Sequence, residues 1–317
     1  SDLDYRKAAK RVARLHRRQL GALPRSPGTE FRIPEIDTPR MIKLARRRVQ
    51  REPQLQVDVE SSIARAVSPG LAANAWRTDL PRMAERRVWD EVFKARRADE
   101  LERFAVSRGV RFDEATRVLD IGAGRGGLSV ALQARGVSVA SLDLRWRNCR
   151  VTRLRGQRYG LNLPAINGRA ELLPFRDDSF DVVCLLEVLE HVADPGGLMR
   201  EARRVCGADG LCVVTVVNRW AHVDPHYHLW GINFLPRRLA EVVLARTGRS
   251  KRSWRDNQRL TDMHYFSFGS FQSFARSAGF EVHDPWRPDG LFARMGHHLG
   301  RKISLGFNTV TLVLEPR

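Results

Sequence analysis

Glu187, Glu190 and His191 follow a short apolar run and carry side chains suited to acid–base or metal chemistry. Their spacing is i, i+3 and i+4, so a helical turn at this point would place all three on one face. Two carboxylates and an imidazole can take a proton from a substrate hydroxyl or bind a divalent cation such as Mg²⁺. The helix dipole also favours glutamates in a first helical turn, so a structural role stays open.

Further histidines lie downstream and could complete such a site. His264 is the candidate fourth metal ligand, and His226 and His228 are alternatives. The segment around them is rich in aromatic residues, and we interpret four of its side chains as an acceptor-binding wall: His226, Tyr227, His228 and Trp230. The alternative is a folded lid that is packed by its own aromatic side chains.

A glycine-rich turn provides a second chemical feature, because Val118–Gly127 reads as a strand, a turn and the start of a helix. Glycines at 122 and 124 allow the backbone to approach a ligand closely, and the helix start offers unpaired N–H groups. Asp143 ends the next apolar run, where its carboxylate can accept hydrogen bonds from ribose hydroxyls. Asp120 precedes the turn and leaves no good place for a pyrophosphate, which argues against a dinucleotide site.

Alternating apolar runs and amphipathic stretches surround these residues, a pattern typical of a parallel sheet with helical crossovers. The predicted strands are Arg117–Ile121, Val137–Asp143, Leu163–Ile166, Phe180–Leu186, Leu211–Val217, Phe280–His283 and Asn308–Leu314. Helices are predicted between them, for example over Gly127–Arg135 and Pro195–Val205. The connection 218–262 is long and is interpreted as a lid or acceptor insertion.

Composition and charge exclude some classes of protein. The chain has 317 residues and a formal charge of +19, with 55 Lys and Arg against 36 Asp and Glu. Residues 1–50 hold 14 basic and 5 acidic side chains, whereas 151–200 are slightly acidic. No apolar run approaches the ~20 residues that span a bilayer. The four cysteines lack metal-site spacing and are interpreted as core thiols in a reduced compartment.

Several ordered motifs together resemble one family. They are Val118–Gly127, Ala170–Phe175, Asp178–Val183, Glu187–Val192, Arg203–Val205 and Asp209-Gly210. These motifs, in this order over about 117–217, closely resemble class I S-adenosylmethionine-dependent methyltransferases, in the small-molecule branch that includes ubiquinone-type O-methyltransferases. The resemblance implies a Rossmann-like α/β fold, with a seven-stranded mostly parallel sheet and helices on both faces. We expect a basic helical region over 1–75 and the methyltransferase domain over 76–317.

The resemblance also implies roles for individual residues. Asp120, Gly122, Ala123 and Gly124 would shape the pocket for S-adenosyl-L-methionine, and Asp143 would hold its ribose. Ala170 and Glu171 would flank the adenine. One departure concerns this last contact, because many relatives carry Asp where this chain has Arg169. An arginine cannot accept the adenine amino hydrogen bond.

The motif Glu-x-x-Glu-His with a later His resembles the metal site of ubiquinone-pathway O-methyltransferases and of small-RNA ribose 2′-O-methyltransferases. That resemblance implies a divalent metal on Glu187, Glu190, His191 and His264, which would lower the pKa of the acceptor hydroxyl. A metal-free site, in which His191 acts as the base, is the competing interpretation.

The leading functional hypothesis is O-methylation of a small molecule or of a glycan- or lipid-linked intermediate. The alternative is an RNA ribose 2′-O-methyltransferase, in which the basic helices of residues 1–50 would contact phosphates. The same residues could bind another anionic partner or a membrane surface. A homodimer contact through these residues and the apolar stripe of Leu291–Ile303 is a further alternative. We expect a cytoplasmic enzyme, with a peripheral position at the inner membrane face as an open alternative.

Overall fold

A computed structural model describes residues 90–249, 259–285 and 308–317. The predictions for the basic N-terminal region and for the stripe Leu291–Ile303 lie outside these residues. The helices are α1 (Asp90–Ser107), α2 (Gly127–Gln133), α3 (Trp146–Arg158), α4 (Pro195–Val205), α5 (Arg237–Arg246) and α6 (Phe268–Ser277). The strands are β1 (Arg117–Ile121), β2 (Ser138–Asp143), β3 (Ala165–Asn167), β4 (Phe180–Leu185), β5 (Cys206–Val217), β6 (Phe280–His283) and β7 (Thr309–Pro316).

Within the described residues, seven strands belong to one sheet, which confirms the predicted α/β class and strand number. Strand β2 pairs in parallel with β3, β1 with β4, and β4 with β5. Strand β7 runs antiparallel to both β5 and β6. The sheet is therefore mostly parallel, as the alternation of strands and helices predicts.

The chain divides into two compact units. The described part of unit one comprises residues 90–102 and 123–167, and unit two comprises residues 103–122 together with the described residues from 168 onward. Unit one holds β2, β3, α2 and α3, and unit two holds the strand order β1-β4-β5-β7-β6.

A buried ion cluster ties α1 to α3 inside unit one. Glu91 of α1 pairs with the guanidinium groups of both Arg155 and Arg158, and all three side chains are fully buried. The hydroxyl of Tyr159 donates to Glu91 Oε1 at 2.9 Å. The two arginine charges hold the pKa of Glu91 below its usual value although burial opposes them. Their charge compensates the desolvation of the carboxylate, as a buried ion needs.

The core of unit two consists of the apolar runs of β4 and β5. Residues 182–185 and 211–214 are fully buried or nearly so, as expected for strands whose two faces are both covered. Cys184 and Cys212 lie within these runs, and all four cysteines are buried thiols that form no disulfide. Burial raises the pKa of Cys212 well above its usual value, so this thiol stays protonated and inert.

The connection after β5 folds around a small core of its own. This core contains Tyr227, Ile232, Ala240, Leu244, Leu260 and Met263. The described part of 218–262 includes α5 and the short 3₁₀ turns Ile232–Phe234 and Leu260–Asp262. The structure therefore matches the interpretation as a folded insertion packed by its own side chains.

Candidate active site

The glycine-rich turn is held against the end of β2 by two hydrogen bonds within unit one. The amide of Ala123 donates to the carbonyl oxygen of Leu142 at 3.1 Å. The amide of Gly124 donates to Asp143 Oδ2 at 2.9 Å. Gly124 has a φ of +58°, and a Cβ added there would meet nothing within 4 Å. This backbone is therefore open to close approach by a ligand.

The carboxylate of Asp143 is almost fully buried and its orientation is fixed. Asp143 Oδ1 accepts from the amide of Arg145 at 2.8 Å and from Nδ2 of Asn148 at 2.9 Å. Among the described residues, Oδ2 accepts only the Gly124 amide, which leaves its second lone pair to a ligand hydroxyl. The sequence prediction for Asp143 required such an oriented acceptor.

The predicted residues on the β1 side belong to unit two. Asp120 is 3% exposed within β1. Gly122 has a φ of +69°, and a Cβ added there would lie 2.3 Å from Cγ2 of Val188. Only glycine fits this position, because both the backbone conformation and the packing exclude a side chain.

Arg169, the departure from the resembled pattern, forms an ion pair with the acid that follows it. Arg169 Nε lies 3.6 Å from Glu171 Oε2, and Arg169 is 65% exposed while Glu171 is 16% exposed. Ala170 between them is buried. Arg169 thus partly neutralises Glu171 from the solvent side.

Glu187, Glu190 and His191 do not lie in a helical turn that would place them on one face. These residues lie in a bend and turn between β4 and α4, and Glu187 is exposed with a φ of 60°. Helix α4 begins only at Pro195, after Asp194, whose side chain accepts from the Gly197 amide. Proline at the first helical position and an aspartate cap fix that start. The three side chains therefore do not share a helix face.

The structure instead brings together Glu190, His191 and His226, whose ligand atoms lie within 4.8 Å of one another. Glu190 Oε1 lies 3.6 Å from His191 Nε2 and 3.8 Å from His226 Nε2. The two imidazole rings meet edge to face at 5.0 Å between centroids. We call these three residues the Glu190 cluster. In the part of the chain that is described, neither Glu187 nor His264 belongs to it.

Glu190 is the chemically unusual member of the Glu190 cluster. Its side chain is 2% exposed, and among the described residues neither carboxylate oxygen has a hydrogen-bond partner. Burial, and to a smaller extent the charge of Glu187, raise the pKa of Glu190 to about 7. A carboxylate with this pKa can accept a proton near neutral pH.

A polar turn and a tyrosine position His226. The buried carboxylate Asp224 Oδ1 accepts the amides of His226 and Tyr227, both at 2.8 Å. The hydroxyl of Tyr265 lies 2.8 Å from His226 Nδ1, so His226 Nε2 faces Glu190. Sequence patterns do not predict this contact, because the two residues are 39 positions apart.

His264 contributes through its backbone rather than through its ring. Its amide donates to the carbonyl oxygen of Glu190 at 3.1 Å, which fixes the turn that carries Glu190. The structure thus places His226, the alternative histidine, where the sequence prediction put the His264 side chain.

The four residues predicted to bind an acceptor occupy different environments. Tyr227 is buried in the core of the insertion, and His226 joins the Glu190 cluster. His228 and Trp230 are exposed, Trp230 by 77%. A surface tryptophan of this kind is available for contact with a further molecule.

A comparison with protein families matches residues 119–214 to a family described as a methyltransferase domain. This range runs from β1 to β5 and contains the turn at Gly122, Asp143 and Glu190. Residues 119–214 are therefore similar to a methyltransferase domain. The resemblance inferred from the sequence motifs is confirmed.

Curated relatives of the methyltransferase domain share one printed description. A ubiquinone biosynthesis O-methyltransferase of Cereibacter sphaeroides is 38% identical over 106 residues, which cover 33% of this chain and 43% of the relative. One from Azorhizobium caulinodans is 35% identical over 113 residues, or 36% of this chain and 45% of the relative. The matches thus span less than half the length of these relatives. Among the described residues, no helix is both long and apolar enough to cross a membrane.

Proposed function

We propose that the protein transfers a methyl group from S-adenosyl-L-methionine to a hydroxyl oxygen of a small molecule. The match of residues 119–214 to a methyltransferase domain supports methyl transfer, and the relatives' description as O-methyltransferases supports oxygen as the acceptor atom. The observation that carries the proposal is the buried Glu190 carboxylate between two imidazoles, because an acceptor hydroxyl needs a proton acceptor.

The residues around Gly124 suit the ribose end of this cofactor. The open backbone at Gly124 and the free lone pair of Asp143 Oδ2 provide approach and recognition within unit one. When bound, S-adenosyl-L-methionine supplies a methyl group on a positively charged sulfur, so the protein mainly has to align the acceptor. Roles in cofactor binding for Asp120, Gly122, Ala123, Ala170 and Glu171 remain predictions.

The Glu190 cluster would activate the acceptor. An ionised Glu190 takes the hydroxyl proton, directly or through the adjacent Nε2 atoms of His191 and His226. The low polarity around Glu190 favours its neutral form, so the proton is held after transfer.

The same donor set fits a divalent cation. The two Glu190 oxygens lack hydrogen-bond partners among the described residues, and two imidazole nitrogens lie within 4 Å of one of them. A cation held by Glu190, His191 and His226 would lower the pKa of the acceptor hydroxyl. Chelation separates the two schemes: activity that persists in EDTA assigns the proton to Glu190, and activity restored only by Mg²⁺ or Mn²⁺ assigns activation to the metal.

Calorimetric titration of the full chain with S-adenosyl-L-methionine tests the function first. Asp143→Asn should weaken binding about tenfold or more, because an amide is a poorer acceptor for ribose hydroxyls and exposes an NH₂ to the Gly124 amide. Asp177→Asn, a change at an exposed acid, is the matched control and should bind as the wild type does. Absence of binding by the wild type would refute the proposed function.

RNA methylation is not favoured by the comparisons, since the relatives quoted are described as enzymes of ubiquinone biosynthesis. The basic residues 1–50 on which that alternative depended lie outside the described residues. Contact of this region with a membrane or an anionic partner, a homodimer and a position at the inner membrane face stay predictions. So does a glycan- or lipid-linked acceptor.

A further inference from the structure

Two arginines of the insertion lie close together, and within the described residues neither has an acidic partner. Arg219 follows β5 and donates to the carbonyl oxygens of Asn233 and Leu235. Arg237 is the first residue of α5. The positive charge of Arg219 helps to lower the pKa of Arg237, because the two guanidinium groups lie near each other. Neither forms an ion pair with any carboxylate in the described part of the chain.

The side chain of Arg237 makes fewer hydrogen bonds than that of Arg219. Its Nη1 atom is buried, and within the described residues that atom has no hydrogen-bond partner. The guanidinium lies over the ring of Tyr265, 4.5 Å from the ring centroid. Burial is the main cause that lowers the pKa of Arg237. A half-buried guanidinium with unused donors is costly unless an acceptor joins it.

One carboxylate oxygen of Asp224, an acid near Arg237, is engaged by backbone amides. Asp224 favours the charged form of Arg237, but its Oδ1 atom accepts the amides of His226 and Tyr227.

Tyr265 connects the arginines to the Glu190 cluster. Its ring lies under Arg237, and its hydroxyl contacts Nδ1 of His226. The ring centroids of Tyr265 and His226 are 5.9 Å apart. One aromatic ring thus separates the guanidinium from the cluster that would take the acceptor's proton.

We propose that Arg237, with Arg219 beside it, binds an anionic group of the methyl acceptor, a carboxylate or a phosphate. A planar guanidinium can bind either group through two parallel N–H···O bonds, which a lysine cannot do. The acceptor class is then a hydroxyl compound that carries an anion about one ring away from the hydroxyl. That the ligand is the methyl acceptor rests on the proposed function. The existence of the anion site does not depend on it.

Calorimetric titration of the full chain with three probes tests the site. Benzoate and phenyl phosphate carry the two anions, and benzyl alcohol is a neutral ring of similar size. We expect at least one of the two anions to bind more tightly than benzyl alcohol by about tenfold or more, since a charge-assisted hydrogen bond contributes about a factor of ten to affinity. Arg237→Gln should remove the difference. Arg238→Gln changes the adjacent, exposed arginine and should retain it.

Several outcomes would overturn the anion site. They are anions that bind no better than benzyl alcohol, an unchanged preference in Arg237→Gln, and an equal loss in Arg238→Gln, which would indicate general surface charge. An unchanged preference would leave Arg237 as a partner of the Tyr265 ring only. Thermal unfolding of Arg237→Gln and of Arg237→Lys, which keeps the charge but loses the planar fork, controls for misfolding.

The two proposals fail separately. Anion binding without S-adenosyl-L-methionine binding would refute the proposed function and retain the site. Cofactor binding and methyl transfer with no anion preference would retain the function and refute this inference.

Discussion

Nδ1 of His226 lies 2.8 Å from the hydroxyl oxygen of Tyr265. This contact turns Nε2 of His226 toward Glu190 Oε1, 3.8 Å away. The ring of His226 is thereby positioned by one residue to face another, an arrangement that recurs where a histidine moves a proton or binds a metal. The carboxylate of Asp224 fixes the backbone of the same turn.

Tyr265→Phe should lower kcat about tenfold with little change in KM, because the His226 ring loses the hydrogen bond that orients it. The ¹⁵N imidazole signals of His226 should also change, which a purely structural role would not require. Tyr159→Phe is the control, since it removes a buried hydroxyl that donates to Glu91 and does not belong to the Glu190 cluster. An unaltered kcat in Tyr265→Phe would contradict this role.

The stability of the protein should fall as pH rises toward neutrality, because of Glu190. Its pKa is about 7 in the folded protein and 4.5 as the reference value, so the folded state keeps a proton that the unfolded state loses. The contribution is complete below the reference pKa and disappears as pH rises through the folded pKa, in total roughly 3 kcal/mol. The free energy of unfolding in urea should contain this decrease between about pH 5 and about pH 8 in the wild type, and the decrease should be absent in Glu190→Gln.

Methyl transfer should increase with pH around the same value, because Glu190 must be ionised to accept a proton. Glu187→Gln should move the midpoint of the rate profile to lower pH, since the charge of Glu187 helps to raise the pKa of Glu190. Glu190→Gln should abolish the profile together with most of the activity. A midpoint that did not move in Glu187→Gln would argue against Glu190 as the titrating group.

Alanine substitutions at two glycines should separate packing from ligand approach. Gly122→Ala should destabilise the fold by about 2–4 kcal/mol, since the new Cβ would overlap Val188 and the backbone is left-handed. Gly124→Ala meets open space and should cost only about 1–2 kcal/mol for its left-handed φ. In Gly124→Ala, the loss in the free energy of S-adenosyl-L-methionine binding, measured by calorimetry, should exceed the loss in the free energy of unfolding. Equal destabilisation by both changes would contradict this division.

Glu91→Gln should destabilise the protein by about 3–5 kcal/mol, because the buried charges of Arg155 and Arg158 would lose their shared partner. Arg276→Gln breaks an ion pair with Glu281 in which both groups reach solvent, and should cost far less stability. Denaturant unfolding measures both values. Similar costs for the two variants would show that the Glu91 cluster contributes no more than a surface pair.

The sequence by itself determined the features that depend on neighbours along the chain. Apolar runs located the strands, including β6 at its observed bounds, and the strand–turn–helix order placed Gly124 and Asp143. Asp194 and Pro195 also marked the start of α4 at its predicted residue. The conformation of Glu187–His191 was not determined in this way, since the spacing of these residues also suited a helical turn.

Only the tertiary structure decided which distant side chains meet. His226 joins Glu190 and His264 does not, although both histidines follow the same strand and have the same side chain. The choice depends on how the insertion folds around its own core, and no local periodicity encodes that packing. The raised pKa of Glu190 has the same origin, since burial is its main cause and burial follows from contacts between segments far apart in sequence.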